Sequence, residues 1–185
     1  KNLNTLNAYG DVKVDDKNKN ILIYSDDITY YKKLEKIVSK NNSEAFSENI
    51  KIQSKEFEYN KILNLLNASG NVILEDNAKD VIIYAENITY QKDKEKIFTQ
   101  GNTKAIVETT YNFKSLDTIL LRNEMLLKSN HKSIISDENK TVYELDSFNY
   151  LIEEKLLEER WHHLISTINK TGEITKRLIE IKGLE

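Results

Sequence analysis

Residues 67–108 repeat residues 7–48 at a constant offset of 60, without a gap. A duplication of this length restricts the chain to folds that stack equal units, whatever its composition. The first copy reads NAYGDVKVDDKNKNILIYSDDITYYKKLEKIVSKNNSEAFSE and the second NASGNVILEDNAKDVIIYAENITYQKDKEKIFTQGNTKAIVE. Gly10 falls on Gly70, Val12 on Val72, Asp16 on Asp76 and Tyr24 on Tyr84. Ile28-Thr29-Tyr30 falls on Ile88-Thr89-Tyr90, and Ala45 and Glu48 fall on Ala105 and Glu108.

The period then halves. Ile28-x-Tyr30, Phe57-x-Tyr59 and Ile88-x-Tyr90 place their tyrosines 29 and 31 residues apart. Phe148-x-Tyr150 follows after 60 residues, with Thr118-x-Leu120 in the gap. A small residue stands before four of these steps (Ser25, Ser54, Ala85, Ser115), whereas the last has Leu145. Asn41, Gly70, Gly101 and His131 come after them, as do Ile37, Leu66, Ile97 and Leu127. The unit is therefore about 30 residues, used five times.

Within a unit the pattern is that of strands. Val12 and Val14 alternate on one face, and Ile21 to Tyr24 and Val81 to Tyr84 are β-branched and aromatic runs. Asp26-Asp27 interrupts the first run before Ile28 to Tyr31 resumes it, so a bulge or corner is expected there. Lys32 to Lys36 is a charged turn, and Ile37-Val38 opens the next strand. Ile50 to Phe57 alternates again, and Ile62 to Leu66 is kept out of a helix by the repeat register. Two short strands per unit, with turns every 8 to 12 residues, predict an all-β sandwich, roll or solenoid. Asp16, Asn18, Asn20 and Asp27 imitate the spacing of a calcium loop. Ile21 occupies the place where that loop requires Gly, and Ala78 replaces Asn18 in the copy, so a plain hairpin turn is expected.

Composition excludes several classes. The chain has 185 residues and no cysteine, so disulfides and thiolate metal sites are impossible and a core needs no staples. The net charge is −3 with Lys and Glu interspersed, which argues against a nucleic-acid surface. No apolar run reaches the length of a membrane helix. Lys1 opens the chain without a signal peptide, the pattern of a cytosolic protein or a trimmed mature chain, and Leu184-Glu185 reads as a vector scar. Proline is absent and Asn, Lys and Ile are plentiful, the mark of an AT-rich gene.

After Tyr150 the spacing changes. Leu157, Trp161, Leu164, Ile165 and Ile168 recur at helical intervals, and Lys170-Thr171-Gly172 supplies a stop, with a second short amphipathic piece from Glu173 to Lys182. The expected organisation is a β unit over 1–157 and a helical or irregular appendage over 158–185. Adjacent His162 and His163 would point about 100° apart on a helix and so do not form a metal site. His131 reads as a turn residue. No Ser-His-Asp set, phosphate loop or aromatic-basic stripe appears, so no catalytic residue, metal or cofactor is expected.

The recurring Ala-x-Gly-Asp/Asn-Val turns at Ala8 to Val12 and Ala68 to Val72 resemble the OstA/LptA-like lipopolysaccharide-transport family. So do the small-x-x-Ile/Phe-x-Tyr steps at Ser25 to Tyr30, Ser54 to Tyr59 and Ala85 to Tyr90. The late segment from Phe113 and from Val142 to Tyr150 is more similar to the soluble N-terminal domain of the LptD members than to the free LptA bridges. The resemblance covers about residues 5–157. It implies an open antiparallel β-jelly roll, non-enzymatic and periplasmic, whose apolar interior receives lipopolysaccharide acyl chains. It also implies pairing with related jelly rolls through edge strands, or with further copies of itself. On that basis the lipid-facing residues are Val12, Ile28, Tyr30, Phe57, Tyr59, Val72, Ile88, Tyr90, Leu120, Phe148 and Tyr150. Tyr24, Tyr84, Tyr30, Tyr59 and Tyr90 keep a polar tip suited to the rim of such a trough. The contrasting reading is a structural or adhesive β-solenoid whose units bury only one another. A polysaccharide-lyase β-helix is disfavoured because no Asp, Lys and Arg cluster is visible.

Overall fold

The computed structural model describes residues 4–153 and the backbone of 156–158. Seven long strands come first: β1 (Thr5–Asp16), β2 (Ile21–Tyr31), β3 (Lys36–Ser47), β4 (Ile50–Asn60), β5 (Leu65–Asp76), β6 (Val81–Gln91) and β7 (Lys96–Val107). Shorter ones follow: β8 (Tyr111–Leu116), β9 (Ile119–Leu121), β10 (Leu126–Ser129), β11 (Ser133–Ser136), β12 (Val142–Leu145), β13 (Phe148–Leu151) and β14 (Leu156–Glu158). All pairings are antiparallel and belong to one 14-stranded sheet, an open β-jelly roll.

The expected pairs of short strands are in fact single strands of 11 or 12 residues, each bent at its middle. The ladder slips at Tyr9/Val12, Tyr24/Asp27, Lys40/Ser43, Gln53/Glu56, Ser69/Val72 and Ala85/Asn87. A bulge on every strand at the same height folds the sheet along one line into two facing walls. From β8 onward the bend breaks the strand outright. The start of β7 pairs with β9 while its end pairs with β8. Wall I then continues as β10, β13 and β14, and wall II as β11 and β12. Leu157, assigned by spacing to a helix, lies in β14. The other expected helical residues, Trp161 to Ile168, lie outside the described residues.

The duplication extends to the backbone. Left-handed φ values recur at Gly10 and Gly70 (74° and 82°), Asn20 and Asp80 (50° and 51°), and Glu35 and Glu95 (45° and 49°). Asn41 and Gly101 share it as well (63° and 81°). Gly, Asn and Asp tolerate that region best and fill all of these positions except Glu35 and Glu95. Gly70 has a second constraint: a Cβ there would stand 2.8 Å from the Lys55 side chain. Gly70→Val therefore combines a strained φ with a clash. It is expected to lose roughly 1–3 kcal/mol, read as a lowered urea midpoint, with Gly70→Asn closer to wild type.

Candidate functional site

Alternate residues of both walls point into the space between them, and cross-strand register lines them into rows. One row on wall I runs Leu6, Tyr30, Ile37, Tyr59, Leu66, Tyr90, Ile97, Leu120, Leu127, Tyr150. A parallel row runs Ala8, Ile28, Ser39, Phe57, Ala68, Ile88, Thr99. The repeated Ile/Phe-x-Tyr step is thus two adjacent inward positions on every second strand, β2, β4 and β6. Val12 and Val72 face inward from wall II, and Phe148 from wall I.

All eleven residues expected to face the interior belong to its apolar core, Val12 and Tyr30 as half-buried members. Their surroundings differ along the stack. Phe57, Tyr59, Val72, Ile88, Tyr90, Leu120, Phe148 and Tyr150 are buried against their neighbours. Phe113 of wall II meets Phe148 and Tyr150 of wall I with ring centroids 5.2 and 5.0 Å apart. Toward β1 the packing opens. A cavity of 570 Å³ lies among Leu6, Ala8, Val12, Val14, Ile28, Tyr30 and Ile37, bounded by Asp16 and Lys61. Leu6 there is 59% exposed.

The tyrosines divide. Tyr30, Tyr59 and Tyr90 sit at the lips of the walls and donate to Glu35 (2.8 Å), Asn64 (3.1 Å) and Glu95 (3.2 Å). Burial pushes the Tyr59 and Tyr90 hydroxyls up, so these caps stay protonated. Tyr24 and Tyr84 are not at the rim. They lie half-exposed on the outer face, packed under the ammonium groups of Lys13 and Lys104. The bulge reverses the side-chain phase, so a tyrosine before it and one after it face opposite ways.

Two features went unseen in the sequence. The first is a spine of hydroxyls along the inside of the bend. Ser25 donates to the Lys40 carbonyl at 2.7 Å and contacts Ser43 at 2.9 Å. Thr99 contacts Thr103 at 2.6 Å and Thr118 at 3.0 Å. Ser115 bonds Ser129 and is bonded by Ser133, both at 2.8 Å. These short side chains satisfy carbonyls that the bulges release, and their size lets the walls converge. The small residues at Ser25, Ser54 and Ser115 were the available signal.

The second is a set of cations that cross the lips. Lys61, at the end of wall I, lies 3.2 Å from Asp16 of wall II and 3.4 Å from Glu35. Burial alone would lower the Lys61 pKa, and the neighbouring Asp16 more than offsets it, leaving the ammonium above its ordinary range. Arg122 forks onto Asp76 at 2.6 and 3.4 Å and also pairs with Glu95. Lys92 donates to the Lys19 and Asn20 carbonyls at 2.6 and 3.1 Å and lies 3.8 Å from Glu48. Asp16 also accepts the Lys19 amide at 3.3 Å, so its carboxylate is spent on the hairpin turn and on Lys61.

A larger groove of 1570 Å³ lies on the outer face of wall II. Ile73, Tyr84, Lys104, Lys114, Ile134 and Glu144 form one register row across it. Its lysines are balanced by Glu86, Glu144 and Asp146, so it favours no charged ligand. The apolar, one-faced space is the interior.

No known family profile matches the chain, and no curated protein is similar to it in sequence. Solved structures do match. One is LptH from Pseudomonas aeruginosa, described as the LptA-homologous periplasmic component of the conserved lipopolysaccharide transport device. The similarity has a TM-score of 0.59 at 11% identity, covering 65% of this chain and 94% of that one. The shared feature is the fold.

Proposed function

We propose that this chain is a non-enzymatic, periplasmic carrier that shields the acyl chains of lipopolysaccharide between its walls. The observation that supports it is an inner face, apolar from β1 to β13, that opens to a cavity at the β1 end. Exposing an acyl chain to water costs about 0.8 kcal/mol per CH₂, so a long chain crosses an aqueous space only under continuous apolar cover. The apolar inner face supports such cover, and LptH, which shares the fold, is a periplasmic component of a lipopolysaccharide transport device. Among the described residues the sheet also ends in strands paired on one side: β1 at one end, β12 and β14 at the other. Unpaired ladders accept a partner's strand, which supports edge-to-edge pairing with related jelly rolls or further copies.

One observation favours the filled-core alternative. Ile23, Leu74 and Ile83 are fully buried by neighbouring side chains, as in a structural solenoid. Photo-crosslinking separates the two. With benzoylphenylalanine at Val12, Ile28, Phe57 or Ile88, crosslinks to lipopolysaccharide are expected, strongest at the first two. Outer-face controls at Tyr24 and Tyr84 are expected to stay clean. Equal labelling inside and outside, or none inside, would refute the carrier.

A further inference from the structure

Three cations close the lips, and they are not of equal strength. Arg122 and Asp76 are withdrawn from solvent, with side chains 6% and 0% exposed, and their contact is a two-point fork. Such forks are directional as well as coulombic. Lys61 is 29% exposed and Asp16 9%, so water reaches this pair from the lysine side; it is a single contact rather than a fork, and that buried Asp16 oxygen has no hydrogen-bond partner. The Lys61 clasp is also the one beside the open cavity at β1. Yet the two clasps occupy corresponding places in the duplicated halves: Asp16 with Asp76, Tyr30 with Tyr90, Glu35 with Glu95.

We propose that the two copies have diverged into a releasable clasp and a permanent one. The walls part from the β1 end when Lys61 lets go of Asp16, and Arg122 on Asp76 stops the opening farther along the stack. Lys61 is then the residue that sets access to the interior. That last statement rests on the carrier reading; the asymmetric opening does not.

The asymmetry follows from chemistry on both sides. A lysine pair that solvent still reaches from the Lys61 side is weakened by water and screened by salt, whereas a pair shut away on both sides strands a charge when one partner is lost. The inner packing is loose only at this end, where Leu6 is exposed and Val12, Val14 and Tyr30 are half-buried, and it is closed from Ile37 and Tyr59 onward. Opening one end therefore disturbs few apolar contacts.

The chain lacks cysteine, so spin labels can be placed on the full protein at will. One pair, Lys17→Cys with Leu34→Cys, spans the lips at the first clasp; Asn77→Cys with Lys94→Cys spans the same positions of the second copy. In Lys61→Met the first pair is expected to gain a longer, broader distance while the second is unchanged. Lys61→Arg is expected to narrow the first pair. Loading of dansyl-undecanoic acid into Lys61→Met is expected to be about fivefold faster than into wild type, the upper end for a single ion pair that solvent still reaches. High salt should speed wild type and leave Lys61→Met unaffected. A first pair that ignores both substitutions, or two pairs that widen together, would overturn the proposal. If the first pair responds as expected and no variant takes up the probe, the clasp stands and the carrier reading falls. If the probe loads and Lys61 has no effect on distance or rate, the carrier stands and the clasp falls.

Discussion

Arg122→Met is expected to remove about 3–5 kcal/mol of folding stability, the loss typical when one partner of a buried ion pair is deleted. The side chain of Asp76 is fully buried, and Arg122 supplies both contacts that its carboxylate makes across the walls. Burial would by itself lower the Arg122 pKa, and Asp76 reverses that, so the guanidinium is charged at every accessible pH. Without it, the fully buried Asp76 is left without its cationic partner. Urea unfolding at neutral pH measures the loss. The double variant Arg122→Met with Asp76→Leu should recover most of it, because no charge is then stranded. An Arg122→Met protein as stable as wild type would show that water reaches Asp76 freely.

Phe113→Ala should cost a similar amount, about 3–5 kcal/mol, by a different route. Phe113 is buried on wall II and stacks against Phe148 and Tyr150 of wall I. It packs the two walls together where the sheet has split into separate strands, so no ladder crosses the gap to close over the cavity. Phe113→Leu, which refills much of that volume, is expected to lose far less. Equal losses for the two would mean that the ring geometry rather than its volume holds the walls together.

Much of this architecture was readable from spacing. The acidic pair Asp26-Asp27 marked the bend, and buried positions change from Ile21, Ile23 and Ser25 before it to Ile28 after it. The eleven residues chosen for the interior share its apolar core because a bend at constant height keeps the phase the same in every unit. The lips were harder. Aligning the copies places Lys61 opposite Leu121, and the functional counterpart is Arg122, one position later. A single-residue slip in a turn hides an equivalence that the strands on either side preserve. Asp16 and Asp76 did align, but a turn carboxylate gives no local sign of what reaches it from another wall. Tyr24 and Tyr84 were misplaced because aromatic character alone does not report which side of a bulge a residue stands on.

The sixty-residue offset corresponds to four strands, an even number, so every duplication returns the chain to the same wall, heading and height. At about 4.8 Å per strand, one such event lengthens the stack by roughly 19 Å and leaves its cross-section untouched. Genes built this way explore stack length in fixed increments, and an ancestor of any span could be extended without redesigning either end.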